Sequence, residues 1–201
     1  PMLGILSCAA APVPEELLRA VVQNRDDIVV RRHLQLLEHM CVRSADGRSL
    51  QFSHKSFSDW LIMEASPFQV NPKEDGHIHV ARLMRDHCTR PLLDEQSKVY
   101  LRRYGIAHMV GASKVEEARE TVMRFAWYVE RAKVKEWNGV LEDLGRMRAA
   151  LPEDRCVKLL ESAVRKSAGH VRREPLEVAG QMHARLMGYG DVLGDFLGEI
   201  L

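Results

Sequence analysis

The chain has little of what usually makes a function easy to read. Its four cysteines, Cys8, Cys41, Cys88 and Cys156, are scattered through 201 residues with no C-x-x-C pair. That spacing excludes a disulfide framework and the common zinc-finger patterns, and it predicts a reduced, cytoplasmic setting. Charge of one sign is also lacking: 29 Lys and Arg against 28 Asp and Glu leave +1, so no global field draws the chain onto nucleic acid or a membrane. Long apolar runs are missing. The run LGILSCAAA at residues 3–11 is too short to span a bilayer and lacks the basic start of a signal peptide. Neither G-x-x-x-x-G-K-[ST] nor G-x-G-x-x-G occurs, so the chain cannot cradle a triphosphate with a phosphate loop of its own. It begins Pro-Met-Leu, without an initiator methionine, as expected of a piece of a longer protein.

What is present suffices for one large or two small domains, at 46% hydrophobic and 28% charged residues. Helical punctuation dominates. LGILSCAAA stops at Pro12, and VPEELLRAVVQ restarts with Pro14 in a first-turn position and two glutamates at the positive helix end. Asp26 and Asp27 cap IVVRRHLQLLEHM, where Val30, Leu34 and Leu37 share a face. MCVRS and SLQF are short strand candidates around Asp46-Gly47, a strong hairpin signal. Ser53 then caps HKSFSDWLIME, whose Phe57, Trp60 and Leu61 at i, i+3 and i+4 form the expected buried face. Trp60→Ala is accordingly expected to cost about 3–5 kcal/mol. Three helices followed by a hairpin is the order of a winged-helix domain, expected over residues 1–66. After SPFQVNP, with Pro67 and Pro72, every remaining segment has helical spacing, broken at Pro91, Gly111, Pro152 and Pro175. The expected fold class is therefore mainly α: a winged-helix domain with one small β-hairpin, then an α-helical bundle or short superhelix over residues 67–201.

Local chemistry is sparse. His54, Ser56 and Asp59 resemble a triad on paper, but positions i and i+2 on a helix point apart, so His54 and Ser56 are not expected to touch. His77 and His79 fail as a metal pair for the same reason, and His87-Cys88 lies more than two turns away. No catalytic residue and no metal site is expected. A DNA-reading winged helix should show a basic footprint. The third helix offers Arg31, Arg32 and His33 and the wing Arg43 and Arg48, yet residues 1–64 carry seven Lys or Arg against eight Asp or Glu.

The stretch LQLLEHMCVRSADGRSLQFSHKSFSDWL, followed by F-x-V-x-P and GHIHVARLMRDHC, resembles the winged-helix module of STAND NTPases, of the NACHT type found with ankyrin or WD-repeat tails. In that family a wing hairpin leads into an F-x-H-x-S-F-x-[DE]-[FW]-L helix and then a G-H-x-x-[LIV]-A helix. The matching positions here are Phe52, His54, Ser56, Phe57, Asp59, Trp60 and Leu61, then Gly76, His77, Val80 and Ala81. YLRRYGIAHMVGASKVEEA and SAGHVRREPLEVAGQMHARLMG are similar to the helical region joining such modules to a propeller. The resemblance implies that His54 touches the β-phosphate of ADP bound to an upstream nucleotide-binding domain and helps to hold a closed, inactive state. It implies no cofactor in this fragment itself, ADP or ATP in the parent protein, and, as partners, the upstream domain, a downstream repeat domain, other proteins or further copies. For His54 a surface cap or a core histidine remains the plain alternative. Two other readings stay open: a helical scaffold whose winged helix makes only protein contacts, and a DNA-binding regulator.

Overall fold

In the computed structural model, residues 1–22, 27–63, 72–86 and 93–201 are described. The chain is mainly helical, with a small three-stranded antiparallel sheet, and it divides into two compact units, Pro1–Ala112 and Ser113–Leu201. The Asp26 cap, the linker Pro67, the pair His87-Cys88 and the break at Pro91 lie outside the described residues. No helix among those described is long and apolar enough to cross a membrane.

The N-terminal unit opens with α1 (Met2–Cys8), β1 (Val13–Pro14), α2 (Glu15–Val21) and α3 (Asp27–Glu38). β2 (Cys41–Arg43), β3 (Ser49–Phe52), α4 (Lys55–Ile62), α5 (Pro72–Asp86) and α6 (Glu95–Gly111) follow. The hairpin forms where Asp46-Gly47 predicts it: Gly47 takes φ 72°, a left-handed value that glycine adopts without strain, and the Asp46 carboxylate accepts from the Arg48 N–H and the Ser44 hydroxyl. Its far carboxylate oxygen accepts from Gln96 on α6 at 2.7 Å.

The expectation of a lone hairpin is corrected. Val13 and Pro14 pair with Leu50 and Ser49, giving the sheet order β1-β3-β2. Proline fits an edge strand as well as a first helical turn, and here Pro14 serves as both strand end and N-cap of α2. The core forms from the spacing of the apolar residues. Val30, Leu34 and Leu37 of α3 are buried with Ile5, Leu17, Leu18, Leu50, Val80 and Leu101.

Helix α4 corrects two further expectations. Ser53 does not cap it; the Ser53 hydroxyl donates to the Met40 carbonyl, and His54, with extended backbone, is the N-cap. Of the expected buried face only Leu61 is fully enclosed; Phe57 is half-buried and Trp60 is 47% exposed. The helix is rotated about its axis relative to that expectation, and the contact that orients it is the Ser58 hydroxyl donating to the Ser7 carbonyl at 2.8 Å.

The C-terminal unit is all helix: α7 (Val115–Val122), α8 (Phe125–Lys133), α9 (Trp137–Ala150), α10 (Arg155–Val171), α11 (Val178–Leu186) and α12 (Gly190–Gly198). KVEEARETVMRFAWYVERA reads as one helix but is two. The chain turns extended at Arg124, where the Phe125 N–H donates to the Glu199 carboxylate at 2.7 Å and the Phe125 ring meets Phe196 edge-on. Tyr128, Trp137 and Phe196 form the centre of this unit, and the Trp137 indole N–H donates to the Val164 carbonyl.

Candidate functional site

The N-terminal unit places histidines in two different settings. His54 stands exposed at the start of α4. Its Nδ1 accepts the Ser56 backbone N–H at 3.1 Å, the bond that an N-cap side chain normally supplies. An Nδ1 that accepts carries no proton, so the neutral ring is the Nε2–H tautomer, and Nε2–H is the donor left for anything arriving from solvent. Because His54 lies outside the helix proper, the helical divergence of i and i+2 does not apply to it. Its Nδ1 is 2.7 Å from the Ser56 hydroxyl, so the expectation that the two do not touch is corrected. The contact does not make a triad, since Asp59 forms no hydrogen bond to the ring among the described residues.

Beside α4 runs an open polar groove of about 560 Å³, walled by Cys8 and Ala9–Ala11 after α1, Gln51 and Phe52 on β3, and Lys55, Ser58 and Asp59 on α4. Cys8, which lines this groove, also belongs to the second setting.

His77 on α5 and His108 on α6 bring their Nδ1 atoms to 3.0 Å, and Cys8 Sγ, from the end of α1, lies 3.7 Å from the same His108 Nδ1. All three donor atoms lie within 4.8 Å of one another. The opposite nitrogen of His108, Nε2, is 3.1 Å from the Tyr100 hydroxyl, two turns back on α6. His108 is buried, while Cys8 and His77 are half-buried. Burial, with His77 as its neighbour, pushes the His108 imidazole down to about 3, so the ring is neutral; burial likewise raises the Tyr100 phenol. His79 projects elsewhere on α5, as the two-residue offset requires, and burial lowers it too.

Close helix packing assembles this cluster. A Cβ on Gly76 would clash with the Gly4 carbonyl, so α1 and α5 touch backbone to backbone. A Cβ on Gly111 would strike the His77 ring at 2.7 Å, so that ring lies flat over the end of α6. Sequence reasoning missed the cluster because its members come from three helices. The one local signal was the pair of glycines lying one position before His77 and three after His108.

No family model matches the chain, and neither a curated protein nor a solved structure matches it.

Proposed function

We propose that this chain is a regulatory and protein-interaction segment of a NACHT-type STAND signalling NTPase, with residues 1–66 as its winged-helix domain. It would couple the nucleotide state of an upstream domain to partner binding or self-assembly, with no catalysis of its own. The observation that carries this reading is the posture of His54. Its ring is anchored through Nδ1 by its own helix, which leaves Nε2–H as the donor of an exposed side chain at the positive end of α4, as a hydrogen bond to a phosphate oxygen requires. Two features support the winged-helix part: the order helix, strand, two helices, hairpin, and the closing of the sheet by β1 beside β3.

The DNA-binding reading loses ground on the wing. Arg43 is committed to Glu15 at 2.8 Å, to Glu38 and to the Gly47 carbonyl, so its charge is balanced within the protein. The protein-contact reading gains from α3, whose outward face shows Ile28 and Leu36, 73% and 59% exposed, beside Arg32 and His33.

The test is ADP retention and assembly in the full-length parent. A hydrogen bond to a charged group is worth about 1.5–3 kcal/mol, so His54→Ala should raise the open-to-closed ratio roughly 10- to 100-fold, with faster ADP loss and assembly without signal. Lys55→Ala is the control. Unchanged ADP release in a folded His54→Ala protein leaves His54 a helix cap and favours the scaffold reading.

A further inference from the structure

We infer that Cys8, His77 and His108 form a binding site for a single zinc ion, clasping α1, α5 and α6 together, with Tyr100 as a positioning residue behind His108. His108 Nδ1 has one lone pair or one proton to offer, yet His77 Nδ1 at 3.0 Å and Cys8 Sγ at 3.7 Å both converge on it. The Cys8 thiol also donates to the Ile5 carbonyl at 3.3 Å. A cation at the centre of the three atoms uses all three lone pairs at once.

The spacing is that of a metal site. With Zn–N of about 2.0 Å and Zn–S of about 2.3 Å, a tetrahedral ion holds its nitrogens about 3.3 Å apart and nitrogen and sulfur about 3.5 Å apart. The separations of 3.0 and 3.7 Å lie within a few tenths of those values before any ion has drawn the ligands in.

The surroundings are those of a metal site as well. Ligating histidines are normally oriented through their second ring nitrogen, and the Tyr100 hydroxyl occupies that place at 3.1 Å from His108 Nε2. The flat seat of the His77 ring over Gly111 fixes the second imidazole, and Cys8 also lines the open groove beside α4. Two imidazoles and a thiolate suit zinc; calcium and magnesium demand oxygen. Among the described residues no fourth His, Cys, Asp or Glu joins the three, so the remaining position is one for water or an incoming ligand.

The experiment is a Co²⁺ titration of the EDTA-treated 201-residue chain, followed by displacement with Zn²⁺. One Co²⁺ per chain should give tetrahedral visible bands with a sulfur-to-cobalt charge-transfer band, and one equivalent of Zn²⁺ should erase them. Cys8→Ala should abolish the charge-transfer band. His77→Gln should weaken binding more than about 100-fold, and Tyr100→Phe about 10- to 100-fold, the range typical of outer-shell changes.

Gly111→Ala guards against variants that simply fail to fold. It adds a methyl at the last residue of α6, keeps every ligand, and should weaken binding through the displaced His77 ring while helical circular dichroism is unchanged. Three outcomes overturn the inference: no charge-transfer band in the unaltered chain, a band that follows Cys41, Cys88 or Cys156 instead of Cys8, or metal affinity unmoved by both His77→Gln and Gly111→Ala.

Discussion

Among the described residues each unit holds a buried polar cluster, and the two are built on opposite plans. In the C-terminal unit Arg131, wholly enclosed, pairs with Asp143 at 3.2 Å and Glu136 at 3.5 Å, and Arg146 reaches the other Asp143 oxygen at 2.9 Å. That cluster carries both signs and closes on itself. The N-terminal cluster of Cys8, His77, His108 and Tyr100 has no carboxylate or guanidinium among its four members and gathers two imidazoles and a thiol around one point. A buried network with its own counter-charges is a structural element, whereas convergent lone pairs of one kind offer themselves to a cation.

The largest expected effect is in the C-terminal unit. Arg131→Ala strips a buried carboxylate of its enclosed partner and should cost about 3–5 kcal/mol by urea unfolding, whereas Arg131→Met with Asp143→Leu should recover most of that loss. If the double variant is no more stable than the single one, the ion pair does more than balance charge.

Next comes a contrast within the N-terminal unit. Leu61→Ala should cost about 2–5 kcal/mol as a fully buried truncation, and Trp60→Ala less than about 1 kcal/mol because its side chain stands half in solvent. The reverse order in chemical denaturation would restore the rotation of α4 that its sequence suggests.

Protonation sharpens the comparison further. Burial raises the Asp143 carboxyl to about 6, against the pull of Arg131 and Arg146. Between about pH 4 and pH 6 the folded state therefore holds a proton that the unfolded state releases, and stability from this group, complete below about pH 4, is lost as pH rises through 6. The expected size is about 1–3 kcal/mol. Melting followed by Trp127 and Trp137 in a Trp60→Phe background should show this slope, and Asp143→Asn should flatten it. Asp154 acts with the opposite sign and in a lower window: burial opposes its ionisation, but the Arg119 hydrogen bond and the Val157 N–H hold its carboxyl below the ordinary range, so its contribution is lost as pH falls.

A modest effect is expected at His54. In this chain His54→Ala removes only an N-cap and should cost about 0.5–2 kcal/mol, with His54→Asn restoring most of it; a larger loss would show that the ring also packs against the fold.

How much of this was legible in the sequence follows from the range of each interaction. Val30, Leu34 and Leu37 could be placed because a helix repeats within four residues, and the Asp46-Gly47 turn because its chemistry is confined to adjacent positions. The two-residue β1 is too short to show alternation, so Val13-Pro14 reads as a helix start. Trp60 and Leu61 are neighbours whose relative burial depends on how α4 is turned, and the Ser58–Ser7 contact spans 51 positions. The triad-like trio at 54, 56 and 59 stood out because it is local. The cluster that does assemble draws on residues 31 and 100 positions apart and could not be seen from spacing.

The backbone contact between Gly4 and Gly76 sets the order of events when the chain is made. A chain leaving the ribosome at roughly 5–20 residues per second exposes α1 several seconds before α5 emerges to cover it. In that interval Ile5 and Leu6, buried in the finished unit, face solvent or a chaperone. The face of α1 that α5 covers therefore stays open until α5 has been made. Premature termination before residue 72 would leave α1 without its principal partner, making such products natural substrates for quality control while the C-terminal unit has yet to be synthesised.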